Sequence, residues 1–176
     1  MPKLSEFYNY DREPYFSIRD AARGVTGAFG AQNKWLDTMQ EWLFIERGMT
    51  HTSDIIHGIA HRALVYLDDF SEILHERHLM TEYPATMELD EKFSDPSDVF
   101  SAVCAVLDET GDALKRFRDL AAANGLDPMA LKTEELMMKV SREQTAVLKL
   151  WQMWDQGVSA TSFDNWALHL NDGGVA

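Results

Sequence analysis

SDIIHGIAHRALVYLDDFSEILHERHLM, residues 53–80, reads as one long amphipathic helix. With His57 set to zero and ~100° per residue, Ile55, Ile59, Ala63, Leu67, Phe70, Ile73 and Leu74 fall at roughly 160° to 280°. His57, His61, Asp68, Glu72, His75 and Glu76 occupy the other side, at roughly 0° to 100°. Thr50, Thr52 and Ser53 offer N-terminal caps, and Asp54 suits the first turn. Pro84 requires an end near Met80.

The segments around this helix repeat its pattern. A first long helix is predicted from about Ala28 to Arg47, with Gly48 as its stop, preceded by an arm over residues 1–27 that holds at most a short helix near Ser17. Asp95-Pro96 and Asp127-Pro128 each pair an N-cap with a proline at the first helical position. They open helices that end at Asn124-Gly125 and before Gly157. A connection of about fourteen residues, Thr81 to Ser94, separates the second helix from the third, and no segment alternates like a strand. This reading gives an all-α fold, a four-helix bundle over residues 28–157 with one long crossover. Residues 158–176 form a tail with a short amphipathic piece from Phe163 to Leu170.

Composition narrows the chemistry. The chain has 176 residues, 45% of them hydrophobic, enough for one domain with a substantial core. A net charge of −13 argues against DNA binding, which draws most of its affinity from basic groups on phosphate. The acidity favours cations instead. The first sixteen residues contain no signal-peptide core and no apolar run reaches membrane-span length. The single cysteine, Cys104, sits among Val103, Val106 and Leu107 as a small hydrophobe and excludes an internal disulfide. A reducing, cytoplasmic setting is the expectation. Trp35, Trp151 and Trp154 read as core or interface residues, His51 as an exposed turn residue, and His169 carries no signal.

The polar stripe is where specific chemistry enters. A solvated helix face is its ordinary explanation, but three histidines with no lysine or arginine at the centre are unusual for one. Imidazole mixed with carboxylate suits iron, zinc or manganese. His57 and His61 lie one turn apart and can share an ion; Glu72 and Glu76 form a second such pair. Fifteen residues, roughly 22 Å of helix, separate the pairs. A two-fold axis near Tyr66–Leu67 would set the histidines of one subunit against the carboxylates of the other, giving two mixed sites per dimer. If the preceding turn is centred near Thr50, Glu41 lies level with the histidines and completes the half-site. Asp68 and His75 are further candidates on the stripe.

These features resemble the ferritin-like superfamily, and within it the Dps-type mini-ferritins. The intervals of that family's second-helix ligands are matched by His57, His61, Glu72 and Glu76, with His61 standing for a carboxylate and Glu72 for Asp. Glu41-Trp42 stands for a His-Trp pair, and Tyr83-Pro84-Ala85-Thr86-Met87 and Ser141-Arg142-Glu143 are similar to the family as well. The resemblance covers about residues 28–156. It implies oxidation of ferrous iron at sites shared across a two-fold interface, storage of the ferric product in a hollow dodecamer, and protection against oxidative stress. The basic DNA-binding tail of some relatives is absent. One alternative is a ferritin-type di-iron site within one bundle, drawing on Glu72-Ile73-Leu74-His75, Glu143-Gln144 and Asp108 or Glu109, though the level of Ala28 offers no carboxylate. The other is a helical interaction protein without metal chemistry.

Overall fold

The computed structural model describes residues 13–172, and these contain five α-helices and no strand. They are α1 Glu13–Arg47, α2 Thr50–His75, α3 Pro96–Ala123, α4 Asp127–Trp154 and α5 Ala160–Asp172. Helix α1 packs on α2 and α3, α3 packs on α4, and α4 also meets α2. Their apolar faces meet in one core whose fully buried side chains include Phe29, Phe70, Phe100, Phe117 and Phe163. No helix among the described residues is long and apolar enough to cross a membrane.

Helix α1 begins at Glu13 rather than near Ala28. Gly24, Thr26, Gly27 and Gly30 lower helix propensity in this stretch, but Ile18, Ala22, Val25 and Phe29 fall on one face and are all buried. Burial of that stripe outweighs the weak local preference. Gly27 and Gly30 serve the connection between α2 and α3, which runs as an extended strap along α1. A Cβ on Gly27 would stand 2.8 Å from Pro84 Cγ, and one on Gly30 would stand 3.1 Å from Thr86 Oγ1. Side chains of α1 bind the strap in sequence order. Thr26 Oγ1 donates to the Glu82 carbonyl, Trp35 Nε1 to the Met87 carbonyl at 2.9 Å, and Arg47 to the Ser94 carbonyl. Residues 1–12, the first part of the predicted arm, lie outside the described residues.

Helix α2 ends at His75, five residues before the predicted end. The chain turns back through His78 at φ 57°, with Leu79 N–H bonded to the Leu74 carbonyl at 3.0 Å. Leu79 is buried by this fold-back, so it closes the helix end instead of extending it. Helix α3 starts with the predicted cap: Asp95 accepts from Ser97 N–H, and Asp98 reciprocates on the Asp95 N–H at 3.0 Å. Helix α4 starts one residue differently, with Leu126 at the N-cap and Asp127 already inside the first turn.

The tail contributes α5, which seats Phe163 and Ala167 fully buried against the end of the other helices. Phe163 meets the Trp154 ring edge-on at 5.3 Å. Trp154 Nε1 in turn donates to Asp95 at 2.9 Å, fastening the end of α4 to the start of α3.

Candidate metal centre

The α1–α2 turn sets the site. Gly48 takes φ 64°, a left-handed conformation that ends α1, and Met49 N–H bonds back to the Leu43 carbonyl at 3.1 Å. Only two residues separate the helices. The side-chain bonds across the pair, Ser53 to Gln40 at 2.6 Å, Asn33 to the Ala60 carbonyl at 3.0 Å and His57 to Asp37 at 3.0 Å, are symmetric about residues 46–47.

That register decides which carboxylate meets the histidines. Asp37 Oδ1 lies 3.0 Å from His57 Nδ1, and the His57 and His61 rings stand edge to face with centroids 4.3 Å apart. One ligand atom from each of Asp37, His57 and His61 lies within 4.8 Å of the others. Glu41, one turn further along α1, is exposed and is not a member of this group. A turn centred at Thr50 predicts Glu41; the observed centre, about three residues earlier, selects Asp37. The signal was present in the sequence, since a helix stopped by Gly48 and restarted at Thr50 leaves no room for a longer turn.

No intrinsic cap serves the first turn of α2. Met49 occupies the N-cap position without a side-chain bond, and Thr50, Thr52 and Ser53 do not cap. Asp164 of α5 does so instead, accepting from Thr52 N–H and Thr52 Oγ1 at 2.8 Å each and from His51 N–H at 3.2 Å. A carboxylate at this end also complements the helix dipole. The tail therefore secures the helix end that lies less than two turns before His57.

Chemically, Asp37 and the two imidazoles form a three-donor group on an accessible surface; His57 and Asp37 side chains are 46% and 40% exposed. With Nδ1 unprotonated, His57 and Asp37 face one cation together; with Nδ1–H donated to Asp37, the carboxylate orients the ring and only the two imidazoles, His57 through Nε2, remain as donors. Three protein donors leave coordination positions open for a partner ligand or a reactant.

The other predicted ligands lie further down α2. Asp68 and Glu72 are exposed on the same outward face. His75 Nε2 is within 3.2 Å of Thr81 Oγ1, and Glu76, just beyond the helix end, forms an ion pair with Lys132 of α4. Between the two polar ends, Leu64 and Val65 stand 43% and 56% exposed.

Four residues of the intrabundle alternative, His75, Glu143, Gln144 and Asp108, have partners within the protein. Gln144 Nε2 donates to Asp108 at 2.6 Å. Glu143 is buried, and its Oε1 accepts from Arg62 Nε at 2.7 Å and Tyr66 OH at 2.9 Å. Burial pushes the Glu143 carboxyl up from its ordinary value, against the pull of Arg62, Tyr66 and Gln32. Burial, with the Glu143 charge beside it, also pushes the Tyr66 phenol up to about 12. Cys104 is buried, and its thiol is pushed up to about 11 by burial and then by Asp108. No known family model matches the sequence, and no curated protein matches it.

Proposed function

We propose that the chain is an iron-sequestering ferroxidase of the Dps type, built as a ferritin-like four-helix bundle with one long crossover. The order of helix contacts and the strap along α1 support that architecture. The observation that carries the function is the convergence of Asp37, His57 and His61 on the outward face of α2. In this reading Asp37, His57 and His61 of one subunit hold ferrous iron together with Glu72 and Glu76 of the two-fold mate. Leu64 and Val65, exposed midway between the two half-sites, would meet their copies at the axis. Each ferrous ion gives one electron to dioxygen or peroxide, and the carboxylates favour the ferric product because hard anionic oxygen prefers the higher charge. Imidazole and carboxylate donors also accept zinc or manganese. Twelve subunits would enclose the store in the cytoplasm.

A metal-free helical interaction protein is the second reading, favoured by the Glu76–Lys132 pair, which must open before Glu76 can serve a partner. An intrabundle di-iron centre has weaker support, because Arg62 already balances Glu143. Light-scattering mass, elemental analysis and ferrous oxidation by peroxide test the proposal together. An assembly near twelve subunits that oxidises iron, with activity and metal lost in D37N and H57A, is the expected result. A metal-free monomer or dimer that leaves ferrous iron unoxidised overturns it.

A further inference from the structure

The outward face of α2 is spaced symmetrically about its own middle. His57, His61, Leu64, Val65, Asp68 and Glu72 are all exposed, at successive intervals of 4, 3, 1, 3 and 4 residues. At ~100° per residue the six fall within about 100° of one another and form one stripe. Its chemistry changes from end to end: imidazoles on one half, carboxylates on the other, an apolar pair between them. Leu64 and Val65 are the only large hydrophobic side chains of α2 that stand exposed. Among the described residues, Asp68 and Glu72 form no hydrogen bond or ion pair.

A stripe in that order is complementary to a second copy of itself. A two-fold axis between Leu64 and Val65 runs the two α2 helices antiparallel. Leu64 is then level with the partner subunit's Val65. His61 meets the partner's Asp68 roughly 5 Å from the axis, and His57 meets the partner's Glu72 roughly 11 Å from it. Ligand spacing by itself favours an axis at Tyr66–Leu67, which brings Glu76 to His57. Tyr66 and Leu67 are each only 8% exposed, however, and are committed to the core of their own subunit. Glu76 is engaged by Lys132. With the axis on the exposed pair, Glu76 stands level with the partner's Ser53, which is buried and bonded to Gln40.

We propose that a second copy of this chain completes the metal centre about an axis at Leu64–Val65, and that the partner subunit supplies Asp68 and Glu72 while Glu76 stays with Lys132. This rests on the reading of Asp37, His57 and His61 as a metal centre and changes only the ligands its partner brings. Each site gathers three carboxylates, Asp37 and the partner's Asp68 and Glu72, around two imidazoles. A divalent first-row cation bound among them therefore strengthens the dimer.

Zinc chloride, a redox-inert stand-in for ferrous iron, tests the assignment without any oxidation step. Calorimetric titration and sedimentation of the full chain should show zinc binding and a dimer that zinc strengthens. D68N should weaken zinc binding by at least about tenfold, whereas E76Q, a surface change, should stay within about twofold of wild type. Mixing H61A with D68N shows which subunit gives the carboxylate. At one of the two sites in the mixed dimer, His61 of one chain meets Asp68 of the other, so zinc binding should return in part. Three results overturn the proposal: no recovery on mixing, a wild-type chain that stays monomeric in zinc, or binding lost in E76Q and kept in D68N. The last would leave the ferroxidase reading in place with Glu76 as its ligand. Recovery on mixing in a protein that leaves ferrous iron unoxidised would instead remove the ferroxidase reading and keep the shared site.

Discussion

Removing the Asp164 carboxylate isolates the contribution of the tail to the helix that carries His57 and His61. In D164A the N–H and hydroxyl of Thr52, a residue with no solvent exposure, lose their acceptor, and so does the His51 N–H. Loss of an N-cap costs about 1 kcal/mol, and each donor left buried without a partner adds about 1–3 kcal/mol where water cannot enter. The His51 donor lies nearer solvent and can be rehydrated, and the lost charge–dipole attraction is about 0.5 kcal/mol. With the Thr52 N–H counted in the cap and its hydroxyl as the second buried donor, the sum for the variant is about 2.5–4.5 kcal/mol. At about 2–4 °C per kcal/mol for a chain of this size, melting should fall by about 5–18 °C. Urea denaturation followed by circular dichroism measures the loss, and hydrogen exchange locates it: amides at the start of α2 should lose protection before those of α3 and α4. D164N, which retains an acceptor, should recover about half. A D164A variant within about 0.5 kcal/mol of wild type, the scatter of ordinary surface substitutions, would refute the cap.

Three further outcomes are expected. Because the folded state raises the Glu143 carboxyl above its ordinary 4.5, the burial penalty on its charged form is fully present above the folded pKa and is relieved as pH falls through it toward 4.5. The stability of wild type minus that of E143Q should rise on acidification across this window; a difference that falls would show the opposite shift. G27A drives a Cβ to 2.8 Å from Pro84 Cγ and should cost about 1–3 kcal/mol in denaturant melts, whereas G24A, with open space around the new methyl, should be neutral or stabilising. Cys104, buried with its thiol at about 11, should react with a thiol reagent at neutral pH only at the rate of unfolding, and fast labelling of native protein would contradict its packing.

Helix identity was legible wherever local chemistry and burial agree. Asp95-Pro96 and Asn124-Gly125 bracket α3 as the sequence predicts, because capping box and stop signal both act within one turn. Reading failed where a distant segment decides. Glycines 27 and 30 look like breakers until the strap that needs their missing side chains is in place. The α2 cap comes from 112 residues away, so no local pattern could reveal it. At the candidate site the two histidines were legible from their spacing on one helix, but their carboxylate depends on interhelical register, where a shift of a few residues exchanges Glu41 for Asp37. Gln32 and Glu143 are ordinary polar residues on a helix until their burial is known.

The strap along α1 has a consequence for how this chain can diverge. Thr26, Lys34, Trp35 and Arg47 all grip it by main-chain carbonyls, those of Glu82, Thr86, Met87 and Ser94. Carbonyls are common to every residue type, so apart from the Arg19–Glu82 ion pair the grip does not depend on which side chains the strap carries. Met80, Tyr83 and Met87 stand largely in solvent. Substitutions at those three positions can accumulate with little effect on the fold, while Thr26, Trp35, Arg47 and the two glycines beneath Pro84 and Thr86 stay fixed. The strap is thus a surface on which new recognition can be written while the helices that place Asp37, His57 and His61 remain unchanged.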